Sequence, residues 1–245
     1  VSKGLEVLRE HEREKNLRGR APQSTPGEEP HDRKKLYFEE ELTNLFRSIN
    51  SLLPEQGHAA IQFIGSRQGE GTSTVVSDYA YLLASRFGRS VVVLDADTLQ
   101  PVQHLHFGVS PTPGWGDVLR GAAPLRKALH RIGNLQLYVC PSSPQREEES
   151  PITHASAKRL LVLATLCKRF DLVVIDSPPA TLSPNEGLAL CDKVNGVVLV
   201  VEAEATRWAV ADAAKEKIVR AGGKLLGVVL NKRRYHIPEL IYKHL

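Results

Sequence analysis

Six runs of this 245-residue chain are apolar on nearly every residue, with segments of helical length between most of them. The runs are AIQFIG (60–65), VVVLDAD (91–97), LQLYVC (135–140), LVVID (172–176), GVVLVVEA (196–203) and LLGVVLN (225–231). A strand that is apolar on both faces must be covered on both, which is the state of strands in a parallel sheet between helical layers. Helical patterns over about 73–87, 154–169 and 206–221 supply the crossovers. The expected fold is therefore α/β, a doubly wound, mainly parallel sheet flanked by helices. Ahead of the first strand, Leu42, Leu45, Phe46, Ile49 and Leu52/Leu53 recur at helical spacing.

The organisation expected around this core has three parts. Residues 1–36 are a charged leader and linker, with a weakly amphipathic helix over 1–20 and a Pro-rich stretch after it. Residues 37–232 form the globular domain, and residues 233–245 a basic tail. The net charge is +4, but the excess lies in the leader and beyond Lys224, so no nucleic-acid partner is expected of the domain. No apolar run approaches the roughly 20 residues of a membrane span. The first 35 residues are charged throughout, unlike a secretory leader. Cys140, Cys167 and Cys191 are odd in number and far apart, which suits reduced thiols and a cytoplasmic location.

In an open α/β sheet, ligands bind beyond the carboxyl ends of the strands. The polar residues there are the turn GSRQGEGTST (65–74), Asp95 and Asp97, Asp176 with Ser177-Pro178-Pro179, Glu202, and Asn231. The turn leaves a strand and opens a helix, the setting in which a Gly-rich segment cradles phosphate. Gly69 and Gly71 allow backbone N–H groups to converge, and Ser73 offers a hydroxyl to Mg²⁺. Against the pattern G-x-x-x-x-G-K-[ST], Ser66 stands at the first Gly and Thr72 at the Lys. Three acids at neighbouring strand ends beside such a cradle would repel one another without a cation, and Mg²⁺ takes these oxygen ligands. His104 and His106 have no third ligand in view and are expected to be surface or core residues. The glutamates 147–149 read as a solvated loop, and Trp115 and Trp208 as packing residues.

The order and spacing of SRQGEGTST, VVVLDAD, FDLVVIDSPP and GVVLN resemble the MinD/ParA-like deviant P-loop ATPases. More narrowly they resemble the bacterial tyrosine kinases of capsule and exopolysaccharide export, with further likeness in GWGDVLRG (114–121) and SPPATLSPNEGLAL (177–190). The resemblance implies a P-loop NTPase-like domain that binds ATP/ADP and Mg²⁺. It places the nucleotide on Gly69, Glu70, Gly71, Thr72, Ser73, Thr74 and Asn231, the last at adenine. It places the metal on Ser73, Asp95 and Asp176, with Asp176 the Walker B acid. It makes Asp97 the base for a tyrosine hydroxyl, and it makes Arg67 the counterpart of the signature lysine of the MinD/ParA proteins. The implied partner is a membrane-embedded polysaccharide chain-length (co-polymerase) protein, which would recruit the chain to the inner face of the plasma membrane. A homo-oligomer is also implied.

Several positions depart from the family pattern. Thr72 replaces the P-loop lysine, and Leu99 and Gln100 stand where basic residues are usual. The ring-forming helix motif reads Glu41-x-x-Asn44-x-x-Arg47, with one Arg lost, and the C-terminus offers only Tyr235 and Tyr242. The expected function is a nucleotide-binding or pseudo-kinase regulator of exopolysaccharide or capsule biosynthesis. An active tyrosine autokinase and a MinD/ParA-like positioning ATPase are the alternatives.

Overall fold

The computed structural model describes residues 38–53, 58–143, 152–182 and 184–233, with backbone alone for 152–156 and 185. The expected leader helix and linker, the glutamates 147–149, Tyr235 and Tyr242 lie outside the described residues. The strands are β1 (Ala59–Gly65), β2 (Val91–Asp95), β3 (His130–Arg131), β4 (Leu137–Cys140), β5 (Leu172–Ser177), β6 (Gly196–Glu202) and β7 (Leu225–Asn231). They form one sheet in the order β3-β4-β2-β5-β1-β6-β7, parallel except for the β3–β4 pair. The two-residue β3 carries no apolar pattern and is not expected from the sequence.

The helices are α1 (Glu39–Leu52), α2 (Thr72–Arg86), α3 (Gln103–Phe107), α4 (Trp115–Leu119), α5 (Ile152–Arg169), α6 (Pro184–Gly187) and α7 (Trp208–Arg220). One face of the sheet packs Ile61, Phe63, Val93 and Val174 against α2 residues Val76, Tyr79 and Leu83, with Leu42 and Ile49 of α1 joining them. The other face buries Val92, Leu94 and Ile175 with Leu163 and Leu166 of α5. Farther along it, Val197 and Leu199 lie with Ala214 and Ile218 of α7. Burial on both faces accounts for the uninterrupted apolar runs of β1, β2, β5 and β6.

Two expectations are corrected. β7 is an edge strand that is nowhere fully buried, and Val228 and Leu230 face solvent although the run reads as covered. Trp115 is buried as a packing residue, but Trp208 opens α7 with 79% of its surface exposed. The Glu41, Asn44 and Arg47 side chains all lie on the exposed side of α1.

Candidate functional site: a cleft at the strand ends

The β1–α2 turn and the ends of β2 and β5 meet because β5 lies between β1 and β2 in the sheet. Asp95 and Asp176 are register partners across β2 and β5. Both are buried, as is Ser177. Beyond these ends a cleft of about 210 Å³ is lined by residues 67–74, Asp97, Leu99, Gln100, Val102, His106, Ser177, Pro179 and Leu182. Asn231 and Glu202 lie at the β7 and β6 ends, against the other side of the turn.

The turn is shaped by two left-handed glycines, Gly69 (φ 85°) and Gly71 (φ 83°). A Cβ on Gly71 would collide with the Asn231 side chain. Asn231 donates from Nδ2 to the Glu70 carbonyl at 2.8 Å, so it holds the turn from behind. Gly71 is the N-cap of α2 and no side chain caps that helix, which leaves the N–H groups of its first turn for a ligand.

Glu70 turns its carboxylate inward, away from solvent. Its Oε1 accepts from Ser66 Oγ (2.7 Å) and Thr206 Oγ1, and its Oε2 accepts from the Arg67 N–H (2.9 Å). Its side chain is therefore a brace beneath the turn, and toward a ligand this residue can offer only its backbone. The Thr72 hydroxyl points back toward Gly65, 2.9 Å from where a Cβ on that glycine would sit. Arg67 lines the cleft, with Nε 3.8 Å from Glu70 Oε1 and Nη2 4.0 Å from Glu202 Oε2.

The acids are held by groups that the sequence does not single out. Gln103, wholly buried on α3, donates its N–H to Asp95 Oδ2 (3.1 Å). Its Nε2 donates to Asp176 Oδ2 (2.7 Å) and to the Ser73 carbonyl (3.0 Å). Asp97 N–H donates to Asp95 Oδ1 (3.2 Å), and Asp97 Oδ1 accepts from the N–H groups of Leu99 and Gln100 at 2.9 Å each. Burial, joined by the neighbouring Asp176 charge, pushes the Asp95 carboxyl well above the usual range. Burial pushes Asp176 up to about 6, against hydrogen bonds from Gln103 and the Ser73 hydroxyl.

These observations bear on whether Mg²⁺ fits. Asp176 Oδ1 and Gln103 Oε1 are buried and accept no hydrogen bond from the described residues. An orphaned carboxylate oxygen beside a serine hydroxyl and a second carboxylate suits a hard cation that keeps waters and substrate phosphate in its shell. Among the described residues no three His, Cys, Asp or Glu side chains converge as a metal site, so the protein's share would be small, as is usual for Mg²⁺ beside phosphates. The residues present fit the ion. His104 and His106 do not join this set; His106 lines the cleft and burial lowers the His104 pKa.

Sequence reasoning missed Gln103, Thr206, Glu202 as a partner of the turn, and Lys232. Lys232 donates from Nζ to the Gly69 carbonyl and lies 3.3 Å from Glu202 Oε2. Glu202 and Asn231 could be found as strand-end residues. The others come from distant segments and carry no local signal.

A parallel sheet whose first strand leads through a glycine turn into an uncapped helix, with acids at the ends of β2 and β5, defines a P-loop NTPase-like domain. The family model described as cellulose biosynthesis protein BcsQ matches residues 59–216. Tyrosine-protein kinase YwqD of Bacillus subtilis (strain 168) is 30% identical over 167 residues, 68% of this chain and 69% of that protein. The chain belongs to this family, and the expected kinship with the bacterial tyrosine kinases and the MinD/ParA-like ATPases holds. Among solved structures, the chimerical protein CapA2B2 superposes with a TM-score of 0.74 at 23% identity, over 84% of this chain and 89% of that one. The septum site-determining protein MinD complexed with Mg-ADP, from Pyrococcus horikoshii OT3, superposes at 0.60 and 22% identity, over 76% of each chain.

Proposed function

We propose that the chain is a nucleotide-binding, kinase-like subunit that regulates exopolysaccharide or capsule biosynthesis, with little or no phosphoryl transfer of its own. The observation that carries this reading is the cleft itself. It joins an uncapped helix start, Ser73 and paired buried acids with a threonine at the position where a P-loop has lysine. Its backbone donors and cation site can hold ADP or ATP with Mg²⁺. Position 72 does not supply the charge that would stabilise a transferring phosphoryl group, a loss worth roughly 10²–10³ in rate.

In this reading the backbone N–H groups of Gly69, Glu70, Gly71, Thr72, Ser73 and Thr74 would bind phosphate oxygens, and Ser73, Asp176 and Asp95 would hold Mg²⁺. When bound, the metal neutralises phosphate charge. Arg67 adds a cation from the turn, and Asn231, behind the turn, is the proposed adenine contact. The relatives' printed names include tyrosine-protein kinases, and one structural neighbour is a chimera named for two components. The chimera's name is compatible with a second protein component, which in this reading is a membrane-embedded co-polymerase that recruits this chain to the cytoplasmic face. Among the described residues no helix is long and apolar enough to cross a membrane.

A second reading, an active tyrosine autokinase, is favoured by Asp97. It lines the cleft on a turn fixed by its own backbone contacts, where it could take a hydroxyl proton. Titration with a fluorescent ADP analogue and Mg²⁺, beside an anti-phosphotyrosine blot after incubation with ATP, separates the two. Binding without phosphotyrosine is expected. Phosphotyrosine that Asp97→Asn abolishes would establish the kinase, and absence of binding would end both readings.

A further inference from the structure

We infer that Lys232, at the end of β7, supplies the phosphate-binding ammonium that position 72 does not. The inference rests on the nucleotide reading above and concerns which residue completes that site.

Four charged side chains surround the back and lip of the turn. Glu70 is spent beneath it on Ser66, Thr206 and the Arg67 N–H. Glu202 is shared by two cations, at 4.0 Å from Arg67 Nη2 and 3.3 Å from Lys232 Nζ. Among the described residues that line the cleft, Arg67 is the only Lys or Arg. Its Nε is buried without a hydrogen-bond partner among the described residues, and both of its carboxylate contacts are long, so it is poorly neutralised where it stands. Two cations and two carboxylates leave the turn without net charge, a poor match to a nucleotide phosphate group until one cation is released from its carboxylate.

Lys232 is the cation placed to do this. It follows Asn231, and its backbone is left-handed at φ 57°, a conformation uncommon for a non-glycine residue. Its stem runs along the turn, with Cε 3.7 Å from where a Cβ on Gly71 would be, and its Nζ reaches the Gly69 carbonyl. It thus lies on the carbonyl side of the Gly69–Glu70 peptide, outside the cleft lining, and must swing its ammonium around the lip of the turn to meet a phosphate on the N–H side. Its side chain is 46% exposed, and rotation of a four-carbon stem costs little there. Phosphate oxygens on the cradle offer the ammonium a stronger, doubly charged acceptor than one carboxylate and one carbonyl. Glu202, left by Lys232, remains the partner of Arg67.

A purely structural lysine, tying the end of β7 to the turn, is the competing account. It predicts the same loss of binding whatever residue occupies position 72. The test is calorimetric titration of Mg-ADP into four full-length proteins: wild type, Lys232→Met, T72K, and T72K with Lys232→Met. Thermal melts accompany each, and Lys232→Arg serves as the conservative control. Met keeps the apolar stem and removes the charge. The expected result is at least tenfold weaker binding for Lys232→Met in the native background, less than threefold in the T72K background, and near wild-type affinity for Lys232→Arg. Equal losses in both backgrounds, or no loss in the native one, would overturn the inference. So would wild type that fails to bind while T72K binds, and the nucleotide reading would then survive alone. If neither wild type nor T72K binds Mg-ADP, the nucleotide reading itself fails.

Discussion

Thr72 leaves the cradle with backbone donors and a helix start, and its own hydroxyl faces Gly65 instead. In the Lys232→Met background, substitution by lysine is expected to tighten Mg-ADP binding about 10- to 100-fold, the worth of one charge-assisted contact; fluorescent-nucleotide titration reads it, and an unchanged affinity there would mean the cradle is otherwise unfit. Asp176 yields a pH prediction. Its carboxyl is raised to about 6 by burial, so between its unfolded value near 4 and 6 the folded protein holds a proton that the unfolded chain has lost. Its contribution to stability is therefore full below about pH 4 and falls away as pH rises through 6, by on the order of 2–3 kcal/mol. In Mg²⁺-free buffer, the wild-type melting temperature should drop between pH 4.5 and 7.5 relative to Asp176→Asn; parallel profiles would refute this. The residues behind both predictions are legible in the sequence, because they stand at strand ends or in a recognisable turn. Gln103 is not, since nothing in VQHLHF announces that its amide will reach Asp176, 73 positions on, and the Ser73 carbonyl, 30 positions back.

At the scale of elements, the turn between β1 and α2 depends on glycine for a steric reason. At Gly71 a side chain would meet both a left-handed φ and the Asn231 amide. Gly71→Ala should lower stability by about 1–3 kcal/mol in urea unfolding and abolish nucleotide binding; a variant as stable as wild type would show that the turn can rearrange. The six apolar strands can be read from sequence because double-sided burial removes polar residues from β1, β2, β5 and β6. The same logic misleads at β7, whose outer residues Val228 and Leu230 are apolar yet uncovered by the described residues. Strand order is not legible, because the crossovers carry no record of which strand the chain returns beside. That order alone puts Asp95 opposite Asp176.

For the whole molecule, the cysteines report on how tightly the layers close. Cys140 and Cys191 are buried in the two clusters on one face of the sheet, and burial pushes both thiols up, Cys191 to about 12. Cys167 on α5 is only partly buried, with a smaller rise. Iodoacetamide at pH 8 should therefore label Cys167 first and the other two only on unfolding. Mass spectrometry of native and urea-treated protein checks this, and rapid native labelling of Cys140 would mean the sheet opens readily. The buried carboxylate of Glu70 has a consequence in time. Because it already joins the turn to Thr206 and the β6 end, the cradle stands assembled before a ligand arrives. Nucleotide association should then be one fast phase, its rate linear in concentration without a plateau, when followed by stopped flow. Removing the brace with Glu70→Gln or Thr206→Val would introduce a slow, concentration-independent step, the signature of a loop that must first find its shape.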